Sequence, residues 1–227
     1  MKNEERPAPA SGLFARIAPR YDLMNRLMTG FQDLRWRRLV IQLARLNPHA
    51  SLLDLGAGTG DLTREALRRF PSIRVAAADL TLEMMRVGQR RGPLPFAAAD
   101  ALRLPFADAS FDASVSGFLM RNVADLHAAM QEQFRVLKRG GRIVILDTTR
   151  PKKSILSPLI AFHMRVVIPA LGALVTGLRE EYNYLTASTE NFLTAEKLAA
   201  HMAAVGFRRV GYERLMFGAI AIHWAEK

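Results

Sequence analysis

Hydrophobic and polar positions change rhythm along the chain. From Leu13 to about Leu46, apolar residues such as Leu23, Leu27, Leu39 and Leu43 recur at helical spacing. Thr29-Gly30 breaks that run into two predicted helices, and residues 1–12, with Pro7, Pro9, Ser11 and Gly12, form a loose tail. Beyond Ala50, short apolar runs alternate with amphipathic stretches. Strands are predicted at 51–55, 73–78, 94–99, 111–116 and 142–146, and helices at 61–69, 82–90 and 126–137. Such alternation implies a parallel sheet with right-handed crossovers. A further helix at 195–204 stops at Gly206, and strands at 209–215 and 219–225 are joined too briefly to pair other than antiparallel. The expected fold is α/β and Rossmann-like: one domain over residues 13–227, with a mostly parallel seven-stranded sheet and an antiparallel last strand. Residues 13–46 are expected as an N-terminal helical cap.

Residues 151–191 fall outside the alternation and are expected as a helical insert after the fifth strand. There they are placed to cover the carboxyl edge of the sheet, where open α/β sheets bind ligands. Ile155, Leu156, Leu159, Ile160, Phe162, Met164, Val166, Val167 and Ile168 suit a lid with an apolar inner face, a buried helix or a dimer contact.

The strongest local signal is Leu52-Leu53-Asp54-Leu55-Gly56-Ala57-Gly58-Thr59-Gly60-Asp61. Glycines between a strand and a helix permit a tight turn and close approach of the backbone to a ligand, although they also serve plain packing. The spacing G-x-G-x-G is one residue short of the dinucleotide fingerprint that seats a pyrophosphate. Asp54 beside the glycines is a poor neighbour for a diphosphate and a good one for a cationic amino acid-nucleoside such as S-adenosylmethionine. Asp79 ends the second strand, where a carboxylate accepts ribose hydroxyls or caps the next helix. Asp100 follows the third strand and is placed for the adenine amine.

Composition narrows the picture. The chain has 227 residues, half of them hydrophobic, and no cysteine, so disulfides, thiolate metal sites and cysteine nucleophiles are excluded. No metal site is expected. No signal-peptide core follows the polar N-terminus, and His163, Arg165 and two prolines interrupt the longest apolar stretch, so a cytoplasmic protein is expected. The net charge of +11 fits arginines spread over solvated faces, attraction to an anionic membrane, or nucleic acid.

Longer motifs carry a resemblance. Phe14-Ala15-Arg16-Ile17-Ala18-Pro19-Arg20-Tyr21-Asp22-Leu23-Met24-Asn25-Arg26, Arg121-Asn122-Val123, Arg135-Val136-Leu137-Lys138, Tyr182-x-Tyr184-Leu185 and Gly206-Phe207, together with the glycine motif, resemble the ubiquinone/menaquinone biosynthesis C-methyltransferases. The resemblance spans nearly the whole chain after residue 12 and implies a class I methyltransferase fold with S-adenosylmethionine as cofactor. The implied cofactor set is Tyr21, Asp54, Gly56, Gly58, Thr59, Asp79, Leu80, Asp100, Ala101 and Gly117. The family usually reads Ser-Phe-Gly-Leu-Arg-Asn after the fourth strand, whereas this chain has Gly117-Phe118-Leu119-Met120-Arg121-Asn122. A hydroxyl is lost at Gly117, and Leu119 makes the pocket wall bulkier.

The resemblance also implies methyl transfer to a ring carbon of a demethylated polyprenyl hydroquinone, a lipophilic quinol. Such a carbon becomes nucleophilic when a ring hydroxyl loses its proton, so a base or a cationic partner is needed. Arg121 is the first candidate, or else a structural salt bridge; His163 is the second, or else a packed histidine. Tyr182 and Tyr184 line the substrate pocket or belong to the core, and Asp147 ends the fifth strand facing the site. Peripheral contact with the inner face of the membrane and a homodimer are expected, and nucleic acid is not. A methyltransferase for another small molecule, with a nitrogen or oxygen acceptor, and a non-catalytic cofactor-binding homologue are the competing readings. An RNA methyltransferase is disfavoured, because no Asn/Asp-Pro-Pro-aromatic motif follows the fourth strand.

Overall fold

The computed structural model describes residues 10–150, 157–178, 188–189 and 192–227. α1 (Ala10–Ile17), α2 (Tyr21–Met28) and α3 (Gln32–Leu43) precede β1 (Ser51–Leu55), α4 (Asp61–Arg69), β2 (Arg74–Asp79), α5 (Leu82–Arg90) and β3 (Phe96–Ala98). β4 (Phe111–Gly117), α6 (Leu126–Val136) and β5 (Leu137–Thr148) come after them. Next are α7 (Ser157–Phe162), a π turn at His163–Val167 and α8 (Ile168–Thr176), then α9 (Ala195–Val205), β6 (Arg208–Leu215) and β7 (Ile220–Glu226).

The strands form one seven-stranded sheet in the order β3-β2-β1-β4-β5-β7-β6. β1 to β5 pair parallel, and β7 pairs antiparallel with both β5 and β6. Strand alternation gives the sheet two apolar faces. Leu53, Ile143 and Ile145 face Met130 of α6 and Leu198 and Met202 of α9, whereas Leu52, Val115, Val144 and Leu146 face Trp36 and Val40 of α3 and Ala66 of α4. The strand order reverses between β1 and β4, so a crevice opens at their carboxyl ends.

Four boundaries differ from expectation, each for a local reason. α1 begins at Ala10, inside the segment expected as a loose tail. A second break precedes the one at Thr29-Gly30: Pro19, which has no N–H to donate, sits in a 3-10 turn between α1 and α2. β3 is shorter than predicted because it is an edge strand preceded by Pro95, which cannot donate to a ladder. β5 starts earlier, at Leu137, which pairs with Phe111 before a register shift leads to Ala113 opposite Arg142.

Ile17 of α1 and Met24 of α2 are fully buried and pack against Ile168, Leu171 and Val175 of α8. The inner side of the π turn and α8 is thus carried by Ile168 and its helical neighbours. Phe162, Val166 and Leu174 are exposed, so the expected inner apolar face does not include Phe162 or Val166. The expected insert lies partly outside the described residues, as do Tyr182, Tyr184 and the side chains of Leu159 and Ile160.

Candidate active site

The site begins where β1 runs out of strand. Gly56 has φ +67, and a Cβ there would lie 2.8 Å from Leu119. Gly60 caps α4 at φ +87, where a Cβ would lie 2.3 Å from Leu94. Both positions therefore demand glycine on conformation and on space. The turn is held from β2: the Ala78 carbonyl accepts the Gly56 and Ala57 amides, at 2.8 and 3.0 Å.

Asp54 is completely buried. Its Oδ2 accepts the Thr63 amide at 2.9 Å and the Thr63 hydroxyl at 2.7 Å, while its Oδ1 has no partner among the described residues. Burial raises its pKa to about 6, against the opposing effect of the Thr63 hydrogen bonds. Asp79 accepts the Gly58 amide on Oδ2 and the Thr81 amide on Oδ1, both at 2.7 Å, so it ties the glycine turn to the start of α5. Burial raises its pKa as well.

Asp79 opens onto a cleft of about 240 Å³. Tyr21, Gly56, Gly58, Asp79, Leu80, Asp100, Ala101 and Gly117 all line it, joined by Phe14, Met84, Phe118, Leu119 and Asn122. Asp54 and Thr59 do not; they line an adjoining cavity of about 40 Å³ with Tyr21, Arg37 and Phe118. Arg121 and His163 line a third cavity, of about 110 Å³, with Met28, Met164, Ile168 and Ile220. Tyr21 and Phe118 border all three spaces, so the two rings form the partition between them.

Arg121 sits in a 3-10 turn after β4 and is buried. Its Nη1 reaches Asp147 Oδ1 at 2.7 Å, its backbone amide reaches Oδ2 at 3.3 Å, and its guanidinium lies 5.4 Å from the Phe118 ring centroid. Arg121 is therefore salt-bridged and also lines a cavity. His163 Nε2 lies 3.1 Å from the Met28 carbonyl. A carbonyl only accepts, so Nε2 carries a proton.

Sequence reasoning missed Phe118 and Arg37. Phe118 adopts φ +60, a conformation that no aromatic residue advertises. Arg37 looked like one surface cation among many on the first helices. It is buried against Asp33 and Asp61, and burial lowers its pKa.

The model of the ubiE/COQ5 methyltransferase family matches residues 1–227. The chain belongs to that family. It is 42% identical over 218 residues to the ubiquinone/menaquinone biosynthesis C-methyltransferase of Desulfotalea psychrophila, covering 95% of this chain and 89% of that one. It is also 42% identical to the demethylmenaquinone methyltransferase of Thermus thermophilus, covering 95% of this chain and all of that one. Among solved structures, phosphoethanolamine N-methyltransferase 2 of Haemonchus contortus in complex with S-adenosyl-L-methionine superposes with a TM-score of 0.66 at 14% identity. That superposition covers 94% of this chain and 60% of the other, and shows the shared fold.

This family member is an S-adenosylmethionine-dependent methyltransferase on a class I fold. Its residues fit the cofactor. The orphaned Asp54 Oδ1 suits an ammonium group, the buried Arg37 beside it suits a carboxylate, and Asp79 suits a pair of hydroxyls.

The Asp54 carboxyl gives a testable sign. The folded state holds its proton up to about pH 6, whereas the unfolded chain releases it near the ordinary value of 3.8. Stability is thus lost as pH rises from 3.8 to 6, by about 3 kcal/mol in order of magnitude, and the loss is complete above that window. Asp54→Asn keeps the Thr63 bonds and removes this slope. Urea unfolding should show the variant gaining on the parent protein between pH 4 and 7, while calorimetry shows cofactor affinity falling at least about tenfold. Equal affinity in the two proteins would remove Asp54 from the cofactor site.

Proposed function

We propose that this methyltransferase acts on a ring carbon of a demethylated polyprenyl hydroquinone, a reading supported by relatives named as a ubiquinone/menaquinone biosynthesis C-methyltransferase and a demethylmenaquinone methyltransferase. The observation that carries the reading is the third cavity, a mostly apolar space holding one buried guanidinium and sharing Tyr21 and Phe118 with the cofactor cleft. Asp79, Asp100, Gly58 and Asp54 bind the cofactor, with Tyr21, Gly56, Thr59, Leu80, Ala101 and Gly117 shaping its site. S-adenosylmethionine, when bound, supplies an electrophilic methyl group on a sulfonium.

The chain supplies the rest. Tyr21 and Phe118 hold the acceptor ring beside the cofactor cleft and exclude water, so that carbon and methyl meet in line. Arg121 stabilises the negative charge that grows on a ring oxygen as its proton leaves. Asp147 fixes Arg121 by two contacts and balances its charge in the buried setting. In this reading His163 takes the phenolic proton through Nδ1 while Nε2 is held on the Met28 carbonyl, and the ring carbon sheds its own proton after the transfer to restore the aromatic ring. Gly117 and Leu119, the departures from the family pattern, line the cofactor cleft and are absent from the Arg121 cavity. They bear on the cofactor side and leave the quinol reading intact.

The acceptor is a bilayer lipid, and no helix among the described residues is long and apolar enough to cross a membrane. Exposed Phe162, Val166 and Leu174 on α7, the π turn and α8 insert at the interface instead, with Arg165 beside them. Replacing all three with serine should abolish flotation with anionic vesicles and raise KM for prenylated quinol, with cofactor affinity unchanged. Flotation equal to that of the parent protein would exclude this surface.

Transfer from methyl-labelled cofactor to demethylmenaquinol and to a demethylated ubiquinol precursor, with the ring position read by mass spectrometry, tests the substrate class. In the same assay, Arg121→Ala should lower kcat about a hundredfold or more while cofactor Kd stays within about twofold. Unchanged kcat would return Arg121 to a purely structural role.

A further inference from the structure

The amino edge of the sheet, opposite the cofactor cleft, holds a concavity of about 520 Å³ that the methyl-transfer reading does not use. β1, β2 and β4 begin there, at Ser51, Arg74 and Phe111, and β7 ends there at Glu226. Arg45, Arg74, Lys138, Arg139 and Arg142 line it, against the two carboxylates Asp112 and Glu226.

Those carboxylates are already committed. Asp112 binds Lys138 Nζ at 2.8 Å on one oxygen and accepts the Ser51 amide at 2.7 Å on the other. Glu226 is divided between Arg142 Nη1 at 3.1 Å and Arg209 Nη1 at 2.8 Å. Arg45 and Arg139 are exposed, and neither makes a side-chain ion pair or hydrogen bond among the described residues. Arg142 is buried, with 7% exposure, and its Nε has no hydrogen-bond partner among them. Burial and the nearby Arg45 charge both lower its pKa, a sign of crowded like charge. Cations gathered at this density in one concavity are relieved by an anion.

We propose that this pocket binds a small soluble molecule bearing phosphate groups. Guanidinium forks match phosphate oxygens bidentately, and several converge here. Among the described residues no Phe, Tyr or Trp lines the pocket, and His49 is its one ring, so it lacks the succession of aromatic faces on which a nucleic acid strand stacks. A lipid head group is the other source of the same chemistry. The π turn and α8 contribute His163, Met164 and Ile168 to the cavity beside the cofactor cleft, at the carboxyl edge. A membrane meeting the exposed residues of those helices leaves the amino edge facing away from it.

Calorimetry on the full chain with pyrophosphate and inorganic phosphate, at low and moderate salt, tests the proposal. Pyrophosphate should bind more tightly than phosphate and weaken as salt rises. The R45A/R139A double variant, altered at exposed positions remote from the cleft, should lose at least about tenfold in pyrophosphate affinity and none in cofactor affinity. No binding of pyrophosphate at millimolar concentration, or equal binding by the double variant, would overturn the site. Phosphatidylglycerol vesicles separate the sources: equal flotation of parent and double variant supports the soluble ligand. Loss of flotation in the double variant would assign the pocket to lipid and overturn the proposal as stated.

Discussion

The active site depends on one knot of charge. Asp61, at the first turn of α4, receives Arg26 and Arg37 from the N-terminal helices and Arg91 from beyond α5. Asp33 takes Arg26 and Arg37 a second time, and Asp22 takes Arg91 together with the Thr59 hydroxyl at 2.7 Å. Three arginines therefore face three aspartates, and the most buried members, Asp33 and Arg37, are paired with each other. Removing Asp33 or Arg37, the buried pair, strands the other at a cost of about 3–5 kcal/mol, whereas Arg91, more than a third exposed, contributes less. The same contacts bind α2 and α3 to the glycine turn. Together with the apolar cluster of Ile17 and Met24, they place Tyr21 over the cleft.

That anchoring divides the space above the sheet. The sheet ends in glycine and carboxylate at β1 and β2, and the anchored helices roof this edge with aromatic rings. Tyr21 from above and Phe118 from the strand end below divide the roofed volume between the cleft that carries Asp79 and Asp100 and the cavity that carries Arg121. Burial raises the pKa of Tyr21, so the phenol stays neutral in this wall. Across that wall, Arg121 is held on Asp147 at the end of β5. The proposed cofactor site and the proposed acceptor site thus rest on different strands of one sheet and share two rings.

Much of this was legible in the sequence because it is local. Asp54, the glycine turn, Asp79 and Asp100 stand at strand ends, where hydrophobic period and turn chemistry agree. The sheet and its antiparallel last strands arise from the same periods. What could not be read is what several elements decide together. The break at Pro19 was masked by helical spacing on either side of it. Arg26, Arg37 and Arg91 resemble other arginines until α2, α3 and the turn after α5 meet on Asp61. Phe118 became a partition only through a left-handed backbone forced by the strand end, and the inner side of α8 was set by its docking on Ile17 and Met24. Leu119 was legible as bulk, yet its placement against Gly56 on the cofactor side needed the fold.

At the centre stands the apolar cavity beside the cofactor, proposed to receive a quinol ring that Arg121 activates. Quinone profiling by mass spectrometry in a strain lacking this gene, complemented with the parent protein or with Arg121→Lys, addresses it in the cell. The deletion should accumulate a prenylated quinone lighter by one methyl group. The parent protein should restore the methylated form, and the lysine variant, which keeps the charge but loses the planar fork on Asp147, should restore it only in part. A deletion strain with an unaltered quinone profile would contradict the quinol assignment.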